Sequence, residues 1–387
     1  MVAPEPIFEP RGTPLSVVGR LKAYSEMGHS VDLLTYSIGQ DVRLPNVRIH
    51  RIAKVPGIRR IKIGPSARKL PLDFLLAVKS AVWASSRRFD LIHTHEEAGL
   101  WGAALGRWFG IPHLYDMHSS LPQQLGNFQF TKSKLLVRLF ERMEAWILRH
   151  SGAVITICPD LQRYVQKRFP GKRSLLIENV VDYGMVFGER DRSGEIRESL
   201  GLSGRKTVLY TGTFEPYQGL DLLIESARAV RDAVPSVRFL LVGGHSEQVK
   251  HYNRKVKNLG LESGFIFIGQ VPPQEVNSYI RCADALVSPR TRGTNTPLKI
   301  YAYLRSGVPI VATRLRTHTQ VLDDRVAILT DADPESFGRG IVKALTELRS
   351  AGSVRRNAAA LAAERYGYPA YLEKLDRALA LAAGIRE

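Results

Sequence analysis

Thr207-Val208-Leu209-Tyr210-Thr211-Gly212-Thr213-Phe214-Glu215-Pro216-Tyr217-Gln218-Gly219-Leu220-Asp221 carries an apolar run of strand length into a turn bracketed by two glycines. A helical pattern then continues through residues 220–233. Five residues rich in β-branched and aromatic side chains read as a buried strand. The glycines supply the backbone freedom that a sharp strand-to-helix turn needs. A strand feeding a helix in this way is half of a strand–helix–strand unit, so the fold turns on whether the unit recurs.

It recurs on both sides. Downstream, strand-length apolar runs lie at 238–242, 265–268, 285–288, 310–313 and 326–329, with helical spacing at 248–258, 273–281, 298–306 and 335–350. Upstream, strands read at 31–36, 47–52, 91–94, 113–116 and 153–158, with helices at 15–27, 72–86 and 134–149. Such alternation predicts an α/β protein whose parallel sheets are covered by helices on both faces. Five or six strands in each half imply two Rossmann-like domains. The boundaries read as 1–185 for the first domain, a Gly-, Ser- and charge-rich linker over 186–204, a second domain over 205–365, and a helical tail over 366–387. Only Met1, Val2 and Ala3 precede the first loop, so the opening strand is either a stub or begins upstream of Met1.

The composition narrows the partners. Across 387 residues, 55 Lys+Arg against 37 Asp+Glu give +18, which favours an anionic partner: nucleic acid, phospholipid or a phosphorylated substrate. No basic recognition helix or zinc module is present, which argues against nucleic acid. Lys54, Arg59, Arg60, Lys62, Arg68 and Lys69 lie among Val55, Ile58, Ile61, Ile63 and Leu70, a mixture suited to an anionic membrane surface. The apolar and basic residues interleaved over 128–149 read as a buried helix with a basic outer face. No apolar run approaches the ~20 residues needed to span a bilayer, and Glu5, Glu9 and Arg11 interrupt any signal-peptide pattern. The expected location is cytoplasmic, peripheral on the inner face of the membrane. Cys158 and Cys282 read as small core residues.

Open α/β sheets place ligands at the carboxyl ends of their strands, where loops run into helix N-termini. Four loops qualify. Residues 4–14 end in Arg11-Gly12-Thr13 before a helix. Residues 212–219 contain Gly212, Thr213, Gln218 and Gly219, whose amides could cradle a diphosphate. Gly243-Gly244 closes another strand. The strongest anion site spans Ser288-Pro289-Arg290-Thr291-Arg292-Gly293-Thr294-Asn295-Thr296-Pro297-Leu298-Lys299, with Thr296 as N-cap and Pro297 near the first helical position. Arg290 and Arg292 offer forked donors and Lys299 a point charge for phosphate oxygens. In the first half, His93 and His95 alternate onto one face of a strand that ends in Glu96-Glu97. A metal there would need Glu96 or Glu97 as third ligand, so the reading is no metal, with His95 and Glu96 turned to the hydroxyls of an acceptor. His118 follows the next strand.

With these residues in view, the chain resembles retaining glycosyltransferases of family four. The resemblance rests on residues 8–14, on Thr211-Gly212-Thr213-Phe214 through Gly219-Leu220-Asp221, and on Asn295-Thr296-Pro297-Leu298-Lys299 through Ser306-Gly307-Val308-Pro309. It implies a GT-B architecture, two Rossmann-like domains with parallel sheets facing across a cleft. Arg11, His95 and Glu96 would then lie on the acceptor side. Gly12, Thr13, Gly212, Thr213, Gln218, Gly243, Arg290, Arg292 and Thr294 through Lys299 would lie on the donor side. It implies that His118 contacts the donor sugar, that the C-terminal helix crosses back to the first domain, and that a nucleotide-sugar is the co-substrate, with no metal or other cofactor. The acceptor would be a glycan or a lipid-linked molecule. Four positions depart from the family pattern: Thr213 replaces an Arg, Gln218 a Lys, and Thr294 and Ala302 the two members of a Glu-x7-Glu pair. Arg290, Arg292 and Lys299 are the expected phosphate replacements, and Tyr301 or Asn295 the expected ribose contacts. The alternative reading is a degenerate member that binds glycan or a partner protein without turnover.

Overall fold

The computed structural model describes residues 1–7, 12–58, 61, 66–120, 122, 133–178 and 190–385. The chain divides into two compact units, Met1–Val181 with Tyr368–Glu387, and Asp182–Gly367.

The first unit contains strands β1 (Val2–Ala3), β2 (Val31–Thr35), β3 (Val47–Arg51), β4 (Ile92–His95), β5 (His113–Met117), β6 (Ala153–Thr156) and β7 (Ser174–Leu176). They form one parallel sheet in the order β3-β2-β1-β4-β5-β6-β7. The opening strand is a two-residue stub, yet it lies mid-sheet between β2 and β4. Helices α1 (Gly12–Glu26), α2 (Leu70–Ser86), α3 (Ala98–Phe109), α4 (Lys134–His150) and α5 (Pro159–Arg168) connect the strands. Every residue of β5 is buried, as a central parallel strand covered on both faces requires. One of the five is Asp116, so its charge must be met inside the protein.

The second unit contains α6 (Ser193–Ser199), β8 (Thr207–Thr211), α7 (Leu220–Ala233), β9 (Arg238–Val242), α8 (Ser246–Asn258), β10 (Phe265–Gly269), α9 (Val276–Arg281), β11 (Ala285–Ser288), α10 (Lys299–Ser306), β12 (Ile310–Thr313), α11 (Arg316–Thr319), β13 (Ile328–Thr330), α12 (Pro334–Thr346) and α13 (Leu348–Arg365). The parallel order is β10-β9-β8-β11-β12-β13. Phe214, Phe239, Phe265 and Tyr252 fill its core with Leu, Ile and Val from both faces. The last helix, α14 (Tyr368–Ala383), belongs to the first unit and packs on β5, β6 and β7. It comes so close that a Cβ on Gly152 would lie 2.6 Å from the Ala382 carbonyl oxygen.

Three segments differ from their sequence reading. Within 186–204, read as a linker, α6 forms and Ile196 and Leu202 are buried against the second unit; residues 186–189 lie outside the described residues. The helix expected over 335–350 stops at Thr346 and a separate helix begins at Leu348, because Glu347 leaves helical geometry at φ −93° and ψ 76°. The strand β7 is an addition that its short, half-buried Ser-Leu-Leu does not announce.

Candidate functional site

Both sheets carry the strand order 3-2-1-4-5-6, in which the chain reverses direction beside the first strand. The carboxyl ends flanking that point are where ligand-binding loops belong. In the first unit these are the ends of β1, β4 and β5; in the second, those of β8 and β11.

At the first of these points the strand ends carry histidines. His93 and His95 stack with ring centroids 4.7 Å apart, confirming that alternation places them together. His95 Nδ1 lies 2.9 Å from His118 Nε2, with one hydrogen between them. Asp116 stands among all three imidazoles: 3.4 Å from His118 Nε2, 3.6 Å from His93 Nε2 and 3.7 Å from His95 Nδ1. Arg20 of α1 donates Nε to Asp116 Oδ2 at 2.9 Å, Nη1 to the Tyr371 hydroxyl at 2.6 Å and Nη2 to the Ile177 carbonyl at 3.2 Å. Arg20 and Asp116 are both 0% exposed.

Burial dominates the electrostatics here. It pushes His118 down to about 4, and the nearby Asp116 carboxylate only partly offsets this; His95 is held well below its usual range for the same leading reason. Asp116 goes well below the carboxylate range because Arg20 and the imidazoles outweigh its burial. Glu96 is driven well above it, by burial first and then by Glu97 and Glu5. Glu96 also has a left-handed backbone at φ 46°, a conformation that non-glycine residues keep where the surroundings enforce it. Its carboxylate accepts from Ser119 Oγ at 3.2 Å and lies 3.5 Å from Thr13 Oγ1.

Several sequence expectations change at this site. Among the described residues, the group able to present three ligand atoms within 4.8 Å of one another is His93, His95 and Asp116, with Asp116 in the place foreseen for Glu96 or Glu97. The Arg20 guanidinium already bonds Oδ2 of that carboxylate. His95, expected on the acceptor side, is buried and pairs with His118. Gly12 opens α1 on the exposed side. Arg11 lies outside the described residues, as do Arg59, Arg60 and Lys62. Of the apolar anchors read between 54 and 70, Val55 and Ile58 pack against the core and Ile61 is buried. Leu70 remains exposed and opens a stripe on α2 with Phe74, Val78 and Val82. The basic 128–149 stretch forms α4, with Leu135 and Leu139 exposed and Ile147 and Leu148 buried; its residues 128–132 lie outside the described residues.

At the switch point of the second unit, two loops are laced together. Gly219 sits at φ 77°, and a Cβ there would fall 1.9 Å from the Pro289 carbonyl oxygen. Thr291 N donates to the Tyr217 carbonyl at 3.0 Å, and the Arg290 guanidinium lies 5.0 Å from the Tyr217 ring centroid. Gly243 is needed for the same kind of approach, since its Cβ would meet the Gly212 carbonyl oxygen at 1.9 Å. Into this frame Lys299, at the start of α10, sends its Nζ 3.6 Å from the Tyr210 ring centroid and close to Gly212. Lys299 Nζ is buried and has no hydrogen-bond partner among the described residues. Burial, then Arg290, pulls it well below the usual lysine range.

The remaining predicted donor residues divide by what they touch. Arg290 spends Nη1 on the Asn295 carbonyl and the Thr317 hydroxyl, at 2.7 and 2.9 Å, so it shapes the loop as well as charging it. Thr294 is held through its carbonyl by Gln320 at 2.5 Å. Gln218 Nε2 reaches Thr213 Oγ1 at 3.3 Å, so the two departures from the family pattern bind each other. Pro297 and Thr296 are buried, Leu298 half-buried, and Arg292 exposed. Thr296 is not an N-cap: α10 begins at Lys299, with Leu298 at the cap position and no side-chain cap. Tyr301 packs on Tyr366, ring centroids 5.0 Å apart. The helix face with Lys299 instead carries Tyr303, whose hydroxyl accepts from Thr211 N at 3.0 Å. Sequence reading missed Arg20, Asp116 and Tyr371. A signal was present for one of them: an Asp in the middle of a predicted buried strand.

Comparison with known proteins fits this geometry. The family model "Glycosyl transferase 4-like domain" matches residues 15–179, and "Glycosyl transferases group 1" matches residues 205–347. The chain belongs to the family-four glycosyltransferases. A phosphatidyl-myo-inositol mannosyltransferase of Mycobacterium tuberculosis is 26% identical over 347 residues, covering 86% of this glycosyltransferase and 82% of the relative. An alpha-monoglucosyldiacylglycerol synthase of Streptococcus pneumoniae is 24% identical over 307 residues, covering 74% and 64%. The crystal structure of Anabaena HepE in complex with UDP and glucose superposes with a TM-score of 0.75 at 18% identity over 98% of each chain. The fold is GT-B, with sheets of seven and six parallel strands.

Proposed function

We propose that this glycosyltransferase moves a hexose from a nucleoside-diphosphate donor to a lipid-linked or glycan acceptor, with retention of configuration and without a metal. The observation that carries the donor assignment is the Lys299 amine: its Nζ is buried, without a hydrogen-bond partner among the described residues, and set beside Gly212 at the switch point of a Rossmann-type sheet. A buried amine left unpaired costs stability, which a phosphate oxygen would recover. Backbone amides of the 212–219 turn add donors without adding charge. Together these offset Thr213 and Gln218 at the positions where the family carries Arg and Lys. Catalysis is then positioning and stabilisation of a departing diphosphate, which itself takes the acceptor proton. His118 contacts the sugar. An uncharged imidazole suits that place, because the transition state develops positive charge on the sugar ring.

The acceptor reading rests on two supports. Relatives named for phosphatidylinositol and diacylglycerol substrates work on lipids. In this chain Leu70, Phe74, Val78 and Val82 recur every fourth residue as an exposed apolar stripe on α2, with Arg68 and Lys54 exposed nearby in sequence. A stripe of that spacing beside cations fits the surface of an anionic bilayer. No helix among the described residues is long and apolar enough to cross a membrane, so contact would be peripheral, with the inner leaflet facing the cytoplasm as the expected side.

Thermal unfolding against a panel of nucleoside diphosphates and their sugars tests the donor. A ligand at 100 times its dissociation constant stabilises the native state by about 2.7 kcal/mol, so one nucleotide class should raise the melting temperature. NMR of the product should show the donor's anomeric configuration. No shift with any nucleotide would instead favour the degenerate, non-transferring reading.

A further inference from the structure

The buried array around Asp116 holds more charge machinery than sugar contact needs. One carboxylate lies within 3.7 Å of three imidazoles, and the whole group is buried. A buried carboxylate with no other counter-charge draws a proton onto the nearest base. The nearest imidazole nitrogen is His118 Nε2, at 3.4 Å. Arg20 meets the carboxylate first. Its three nitrogens are fixed by Asp116, by the Tyr371 hydroxyl on α14 and by the Ile177 carbonyl after β7, and its guanidinium lies 5.1 Å from the Tyr371 ring centroid. A guanidinium held from three elements cannot swing away from Asp116 when the site fills.

We propose that Arg20 is a positioning residue which, by occupying Asp116, weakens that carboxylate's pull on a proton at His118 and holds the imidazole fixed against His95 while sugar is transferred. The inference rests on His118 acting at the donor sugar. The groups facing the array are Arg20 and Tyr24 from α1, His93, His95 and Glu96 from the β4 end, Asp116 from β5, Tyr371 from α14, and the amino group of Met1. Among these, Arg20 alone combines a permanent positive charge with a direct bond to Asp116. The C-terminal helix therefore bears on the chemistry through Tyr371, which orients Arg20.

The test pairs activity with a readout independent of it. In the intact chain, His118 protonation is followed by ring NMR, assigned with His118→Gln, alongside the pH profile of kcat/KM. In Arg20→Gln the protonation midpoint and the acidic limb should both move up by about one unit or more, the usual effect of an uncovered carboxylate at this range. Arg20→Lys should restore both. Arg20→Gln/Asp116→Asn, which removes both charges, should return the midpoint to within about half a unit of wild type, and it carries the test if Arg20→Gln alone does not fold. An unmoved midpoint in Arg20→Gln, or a raised one in the double variant, overturns the proposal. If His118→Ala leaves turnover intact, the sugar-contact reading falls instead, while the NMR shift still reports on Arg20.

Discussion

Two sheets with the same strand order furnish their switch points in opposite ways. In the first unit an interior charge has its counter-charge: Asp116 has Arg20 on Oδ2, and Arg20 has Tyr371 and a backbone carbonyl besides. In the second, Lys299 is half-buried with its Nζ wholly buried and without a hydrogen-bond partner among the described residues, inside a frame of glycines and backbone contacts. A matched buried charge fixes geometry, whereas a buried amine left unpaired is ready for a ligand that restores its charge. The contrast separates a site that positions from a site that binds.

The largest expected effect breaks the matched side. Asp116→Ala strands the Arg20 charge and should cost about 3–5 kcal/mol, seen as a lowered midpoint in denaturant unfolding. Lys299→Met should do the reverse in the free protein, leaving stability unchanged or slightly raised. A comparable loss from both substitutions would erase the distinction. Next in size, Lys299→Met should weaken nucleotide binding by about 1.5–3 kcal/mol, roughly tenfold to a hundredfold, measured by calorimetric titration. Gly219→Ala tests the frame itself. Its Cβ would collide with the Pro289 carbonyl, so a cost of about 1–3 kcal/mol is expected, and binding should fall with it because the two loops part. The smallest effect concerns the surface: Phe74→Asp should lower affinity for anionic vesicles by about 1–2 kcal/mol and leave turnover of a water-soluble acceptor analogue unchanged.

Much of this was legible beforehand because it depends on short-range pattern. Strand alternation, the glycine turn at 212–219 and the polar loop before Lys299 are local signals, and Lys299 emerged from them. What was not legible depends on distant partners. Arg20 and Tyr371 are 351 positions apart, and nothing in either neighbourhood announces the bond. Arg290 read as a pure phosphate ligand because its charge is visible in sequence, while Tyr217, Thr317 and the Asn295 carbonyl that engage it are not. Thr296 had the chemistry of a cap, but α10 starts three residues later, where Lys299 can reach Tyr210. The four departures at Thr213, Gln218, Thr294 and Ala302 were plain as absences. That Gln218 Nε2 reaches the Thr213 hydroxyl shows only in the folded chain.

The most direct test of the central claim asks whether Lys299 takes up a proton when nucleotide arrives. Its folded pKa lies well below the ordinary 10.5, so in the free protein the neutral amine prevails between those values, and stability should rise with pH across that window as the unfolded chain holds the extra proton. A bound phosphate would restore the charge. Titrating nucleotide into the intact chain in two buffers of different ionisation enthalpy, at a pH inside the window, should show net proton uptake in wild type and none in Lys299→Met, with the weaker binding described above. Equal affinity in the two proteins, with no proton taken up by either, would contradict the assignment of Lys299 as the phosphate partner.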